Sequence, residues 1–244
     1  MQLQFSKLKV IPLLAGMTLA PAGFANAGTL SFIDEFDFKT TNFEETLTIN
    51  KFDTNLGTLN SIEFEFTGAV KGDVKFESLD AAESTVTATL SSVLELNLPD
   101  DDTLFAELNP FVSVSDELSA YDGTIDFGGT SGRSYTRDEG NGVRGSTTKT
   151  IKIDAPTESD LALFAARGGG SLDFSVNAEG RSVGTGSGNL ITQFATLASA
   201  GIRVSYDYEE NEPRKIPEPT GALGIGIAGG LALLRKRKKE EVET

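Results

Sequence analysis

From Ile62 onward the apolar side chains fall on even positions: Ile62, Phe64, Phe66, Val70, Val74 and Phe76. Glu63, Glu65, Lys71, Asp73, Lys75 and Glu77 take the odd ones. A period of two sends alternate side chains to opposite faces of a strand, so this stretch predicts one buried face and one wet face. The parity survives Gly68 and Gly72, which leaves two readings: one long strand bent at glycines, or two strands around a turn at Lys71-Gly72-Asp73. Leu172, Phe174, Val176 and Ala178 alternate in the same way, as do Ile202, Val204, Tyr206 and Tyr208. Residues 84–98 and 147–153 are rich in Thr, Ser and Val and favour strands by composition. Turn signals stand at Asp100-Asp101-Asp102, Asp122-Gly123, Gly128-Gly129 and Gly140-Asn141-Gly142. Many strands at this spacing predict an all-β fold: a single antiparallel sandwich or jelly-roll-like domain.

One short helix is expected. Thr157-Glu158-Ser159-Asp160 has the form of a capping box, Leu161 and Phe164 give an apolar side, and Gly168-Gly169-Gly170 is the expected stop. Residues 128–145 read as a long loop carrying Arg133, Tyr135, Arg137 and Arg144 among glycines. Two readings of it are kept: a contact for an acidic polymer, or a solvated loop whose arginines pair with nearby carboxylates. Gly184-Thr185-Gly186-Ser187-Gly188 has the glycine density of a dinucleotide loop. Position 189 is Asn and no βαβ pattern surrounds it, so it reads as a strand-connecting turn.

Composition narrows the chemistry. Among 244 residues there is no cysteine, histidine or tryptophan. That excludes a disulfide framework, a Cys/His zinc site, and any relay whose base is an imidazole. Residues 28–212 hold 12 Lys+Arg against 32 Asp+Glu, a balance of −20, which argues against a nucleic-acid partner.

The remaining nine Lys+Arg sit at the chain ends. Lys7 and Lys9 precede an apolar run, residues 10–20, and Ala25-Asn26-Ala27 offers the small-x-small site read by signal peptidase. The run is about eleven residues, too short for the ~20 of a spanning helix, so residues 1–27 are expected to be a signal peptide. At the far end Pro217-Glu218-Pro219 precedes an apolar stretch, residues 221–234, then Arg235-Lys236-Arg237-Lys238-Lys239. The cations keep such a tail cytoplasmic while everything before them lies outside. Fourteen residues cover about 21 Å as a helix, less than the ~30 Å hydrocarbon core, and four glycines weaken it. A plain single-pass anchor is the bland alternative.

The ordered tripeptide, apolar helix and basic cluster resemble the PEP-CTERM sorting signal. The resemblance implies Gram-negative-type export and cleavage near the motif by an exosortase, a membrane transpeptidase-like protease. The departure is five further residues, 240–244, after the basic cluster. The middle segment also resembles a family, through Phe52-Asp53 with Leu56-Gly57-Thr58-Leu59, Leu118-Ser119-Ala120-Tyr121-Asp122-Gly123-Thr124, Asp126-Phe127-Gly128-Gly129-Thr130-Ser131-Gly132, Asp160-Leu161-Ala162-Leu163-Phe164 and Gly184-Thr185-Gly186-Ser187-Gly188-Asn189-Leu190. The set, over most of residues 45–208, is similar to the choice-of-anchor E domain of bacterial surface proteins. That family carries no established catalytic residues.

The division expected is therefore a signal peptide (1–27), an acidic β-domain (28–212) and a sorting signal (213–244). Paired carboxylates are the only acid–base machinery available, and with 32 of them chance pairs carry no weight for a glycosidase. No cofactor is required. Calcium is the ion for which Asp100, Asp101 and Asp102, with Asp122 and Asp126, supply hard oxygen ligands, set against the ordinary use of aspartate in turns. The expected role is non-enzymatic: a structural or adhesive protein of the cell envelope or extracellular polysaccharide matrix. Its partners in transit would be signal peptidase, exosortase and, before processing, the inner membrane. A glycan- or calcium-binding surface module is the first alternative and a carboxylate-based hydrolase the second.

Overall fold

The structure is a computed structural model that describes residues 27–99, 103–137, 140, 142–186 and 188–211. All of these belong to the first of two units, Met1–Asn211. In chain order the strands are β1 (Ala27–Thr40), β2 (Phe43–Asn50), β3 (Phe52–Asp53), β4 (Gly57–Ser78), β5 (Ser84–Asn97), β6 (Leu104–Leu108) and β7 (Phe111–Leu118). Then follow β8 (Gly132–Tyr135), β9 (Val143–Asp154), helix α1 (Glu158–Phe164), β10 (Ala165–Ala166), β11 (Ser171–Gly180), β12 (Val183–Thr185) and β13 (Leu190–Glu210).

Two antiparallel sheets face each other. One runs β1–β13–β4, with β8 and β9 sharing the far side of β4. The other has β5 at its centre, with β6 and β7 on one side and β11 and β12 on the other, and β2 outside β11. A short parallel pair, β3 with β10, lies apart from both. The all-β sandwich with one short helix is what the alternation implied.

The even positions of β4 form the inner face: Ile62, Phe64, Phe66, Val70, Val74 and Phe76 are all fully buried. Leu172, Phe174, Val176 and Ala178 meet them from β11, while Ile202, Val204 and Tyr206 extend the same layer along β13. Phe64 is the hub, with ring centroids at 5.0 Å from both Phe105 and Phe164 and 6.4 Å from Phe174. Gly68 is needed here because a Cβ would lie 2.4 Å from Leu94 Cδ1 of the facing sheet. Burial pushes the Tyr206 hydroxyl well above its usual pKa, and it donates to the Asn50 carbonyl at 2.9 Å. At the β1/β2 side the Asp34 carboxylate accepts the Thr48 N–H at 2.7 Å, tying the two edge strands across the sheets.

Several local expectations need correction. The open choice at Lys71-Gly72-Asp73 resolves to one strand, because β13 pairs continuously along β4 through both glycines. The helix stops at Phe164, not at the glycines: Ala165 turns extended and pairs with Phe52. The triple glycine forms the turn after that pair, with Gly169 N–H reaching the Ala166 carbonyl. Residues 128–145 are not one loop, since β8 and the start of β9 both lie within them. Val183–Thr185 is strand β12, so the glycine-rich segment turns only after Thr185.

Candidate functional site

Of the sequence-predicted site residues, Ala25, Asp100, Asp101, Asp102, Pro217, Glu218, Pro219 and the cluster Arg235, Lys236, Arg237, Lys238, Lys239 lie outside the described residues. Ala27 begins β1 and stands opposite Glu209 of β13. Asp122 and Asp126 lie in the connection from β7 to β8, and both carboxylates are engaged there with main-chain N–H groups. Asp122 accepts from Thr124 at 3.0 Å and Thr130 at 3.4 Å, and Asp126 from Gly128 at 2.8 Å. The bonds from Thr124 and Gly128 are Asx-type turn bonds, and the one from Thr130 reaches across eight residues of the connection. Among the described residues no group of three or more carboxylates is placed to hold a metal ion.

That connection folds over the outer face of β4. Glu77 occupies an odd, outward position yet is fully buried beneath it. Its carboxylate accepts the Phe127 N–H at 2.7 Å and the Ser131 hydroxyl at 2.6 Å. Gly132 must lack a side chain, because a Cβ would lie 2.4 Å from Glu77 Oε2. Phe127 is held at φ 58°, a left-handed conformation that a bulky residue takes only under constraint.

The arginines of residues 128–145 separate into different settings. Arg133 donates to the Gly132 carbonyl at 2.6 Å and lies 3.7 Å from Asp116. Beside it the Tyr135 hydroxyl donates to Asp116 at 2.5 Å, and that bond holds the phenol above its ordinary pKa. Arg137 grips Asp73 through Nε at 2.9 Å and Nη2 at 3.0 Å, with its own N–H on the same carboxylate, which draws the Asp73 carboxyl below its usual range. For these two arginines, pairing with nearby carboxylates is the arrangement found.

Arg144 differs. It lies on the outer face of β9 directly opposite Lys71 of β4. Both cations sit on one aromatic ring, with Lys71 Nζ at 4.2 Å and Arg144 Cζ at 5.1 Å from the Phe38 centroid. A bulge puts Phe38 there. Phe36 opposes Ala200 while Lys39 opposes Ala198, so Asp37 and Phe38 share the single position of Ser199. The sequence reading names no strand over Phe38 and gives Lys71 only a place on the wet face of its strand; the bulge that brings the two together appears only in the pairing. Next to this pair is an open hollow of about 220 Å³ lined by Lys71, Arg137, Gly140, Gly142, Val143 and Arg144.

On the outer face of the other sheet, Glu44, Asn177, Glu95 and Glu107 stand in one cross-strand row. Glu44, Asn177 and Glu95 border a shallow depression of about 350 Å³ that also involves Asn42 and Glu179. Among the described residues no helix is long and apolar enough to cross a membrane.

No protein-family model matches the chain, and no curated protein matches it. Among solved structures it is similar to dimeric latent PorU from Porphyromonas gingivalis, at 9% identity and TM-score 0.32. That likeness covers 80% of this chain but 14% of PorU. The virus-like particle of Macrobrachium rosenbergii extra small virus matches at 9% identity and TM-score 0.17, over 84% of this chain and 94% of its own. The infectious bursal disease virus VP2 subviral particle follows at 10% identity and TM-score 0.12, over 93% and 54%. Likenesses this low identify neither a family nor a function for the chain.

Proposed function

We propose that this is an exported, non-enzymatic surface protein, sorted through a PEP-CTERM signal and serving a structural or adhesive role in the envelope or extracellular matrix. The observation that carries the reading is the chain order: a cleavable leader ending at Ala27, a β-sandwich, then Pro217-Glu218-Pro219, an apolar stretch and five cations. The sandwich supports it at the C-terminal border. β13 ends at Glu210, and Asn211 after it is no longer strand. Cleavage beyond that point would therefore leave β13 and its pairing with β1 and β4 whole. The choice-of-anchor E resemblance fits the same role.

The strand order also supports a jelly roll. The chain passes from sheet to sheet in the sequence β1, β2, β4, then β5 to β7 together, β8 and β9, β11 and β12, β13. Its last strand enters between the first and the fourth.

The test is the intact mass of the protein recovered from a host with an exosortase-type protease and from one without. The expected product begins at Gly28 and ends near the motif only where the protease is present. The triple variant Pro217→Ala, Glu218→Ala, Pro219→Ala should keep its C-terminus. A tail retained in both hosts, with the protein in the membrane fraction, would make it a plain anchor.

A further inference from the structure

The first sheet carries an unexpected concentration of positive charge in a domain at −20. Lys71 and Arg144 are direct cross-strand neighbours, an arrangement in which like charges repel. Among the described residues neither makes an ion pair, whereas Arg133, Arg137 and Arg181 each have a carboxylate within 4 Å. What they share is the Phe38 ring. A cation over an aromatic ring is held by the ring's quadrupole rather than by a hydrogen-bond acceptor, so N–H donors of both groups remain available. The ring thus holds two cations in place without using up their donors, which lowers the entropy lost when an anion binds.

We propose that Phe38, Lys71 and Arg144 form a binding site for the carboxylate of an acidic saccharide. A carboxylate between the two cations would turn their repulsion into attraction, with a bidentate bond available from Arg144. The hollow beside them, about 220 Å³ and bordered by Gly140 and Gly142, is smaller than the roughly 300–1,000 Å³ of pockets that enclose a whole ligand. It admits one charged unit of a chain that continues outside. Densely charged nucleic acid needs several phosphate contacts and would be repelled by the rest of the domain. The half-buried Phe38 ring adds the apolar surface that a sugar can cover.

The site lies far from the end of the sandwich that leads to the sorting motif. Lys71 pairs with Leu197, thirteen residues before Glu210 on β13, which is roughly 40 Å along a strand. The surface-protein reading supplies only the setting in which such a saccharide would be met, and the binding assay does not depend on sorting.

The experiment is titration of the full chain with a galacturonic acid trimer, against its methyl ester as the uncharged control. Binding should be seen for the acid alone, weaken with salt, and fall at least tenfold in the Lys71→Gln/Arg144→Gln double variant. Its melting temperature in buffer is read beside the parent's, so that loss of the ligand is distinguished from loss of the fold. A third variant with Arg235 to Lys239 changed to Gln should bind as the parent does. Absence of binding by the parent overturns the proposal, as does equal binding by the double variant or loss only in the tail variant. A glutamate-rich peptide binding more tightly than the trimer also overturns the saccharide assignment. A double variant that melts lower, with no ligand effect in the parent, would make the ring and cations a structural brace.

Discussion

Glu77 holds the β7–β8 connection down with a buried carboxyl group whose hydrogen-bond donors are the Phe127 N–H and the Ser131 hydroxyl. Glu77→Ala would leave both donors unsatisfied and should cost about 2–3 kcal/mol in urea unfolding. Glu77→Gln keeps one acceptor and should cost roughly half as much. A loss below about 0.5 kcal/mol for the alanine variant would mean that the connection is not anchored there. The sequence placed Glu77 correctly on the outward face of its strand, and still suggested exposure. Period two tells which face a side chain takes; it is silent on what later folds over that face. Phe38 shows the complementary failure. It shares the even parity of Phe32 and Phe36, and only the bulge opposite Ser199 turns it outward. A bulge has no signature in an aromatic run, so the Phe38–Lys71–Arg144 cluster was not legible.

At the level of elements, the long alternating strands were legible because they repeat one rule many times. β8 was not: four residues, Gly132–Tyr135, are too few for a period and sit among glycines. Its place comes from pairing with residues 74–77 of β4 and from Arg137 gripping Asp73 just beyond it. That grip lowers the Asp73 pKa from the ordinary 3.8, chiefly through the Arg137 side-chain hydrogen bonds. The folded state then binds this proton less tightly than the unfolded chain. The stabilisation is complete above the unfolded value and is lost as the pH falls through the lowered folded one. The pair is partly exposed, so Asp73→Asn should cost at most about 1 kcal/mol at neutral pH. Parent and variant should converge in urea midpoint as the pH falls below that range, and a constant gap would assign the effect to packing. Tyr135 works in the opposite sense. Its pKa is raised by the bond to Asp116, so its contribution is present below pH 10.0 and fades as the pH rises through the raised folded value. Tyr135→Phe should remove that alkaline dependence. The helix start was legible in full: Thr157 accepts the Asp160 N–H and Asp160 accepts the Thr157 N–H. Thr157→Ala should cost about 1 kcal/mol by thermal melting. Its end was not, because the stop is set by pairing of Ala165 with Phe52, over a hundred residues earlier in the chain.

The whole domain is a charge problem as well as a packing solution. Its surface carries an excess of twenty negative charges, and like charge opposes compaction. The row Glu44, Asn177, Glu95 and Glu107 shows the repulsion locally, with Glu95 directly opposite Glu107. Screening should therefore stabilise the fold: raising NaCl from about 0.05 M to about 0.5 M shortens the Debye length severalfold and should raise the melting temperature by a few degrees. Calcium at matched ionic strength separates screening from coordination. Asp122 and Asp126 already accept main-chain N–H bonds within their own turns, and ligating an ion would break them. Those two should contribute no calcium-specific gain, and Asp122→Asn/Asp126→Asn should leave any calcium response unchanged. A gain beyond that of equal NaCl, reversed by EDTA and abolished by Asp100→Asn/Asp101→Asn/Asp102→Asn, would place the ion at the triple aspartate. Equal curves in calcium and NaCl would make the acidic surface a screened field with no coordinated ion, and the domain's contacts would then rest on its few converging cations.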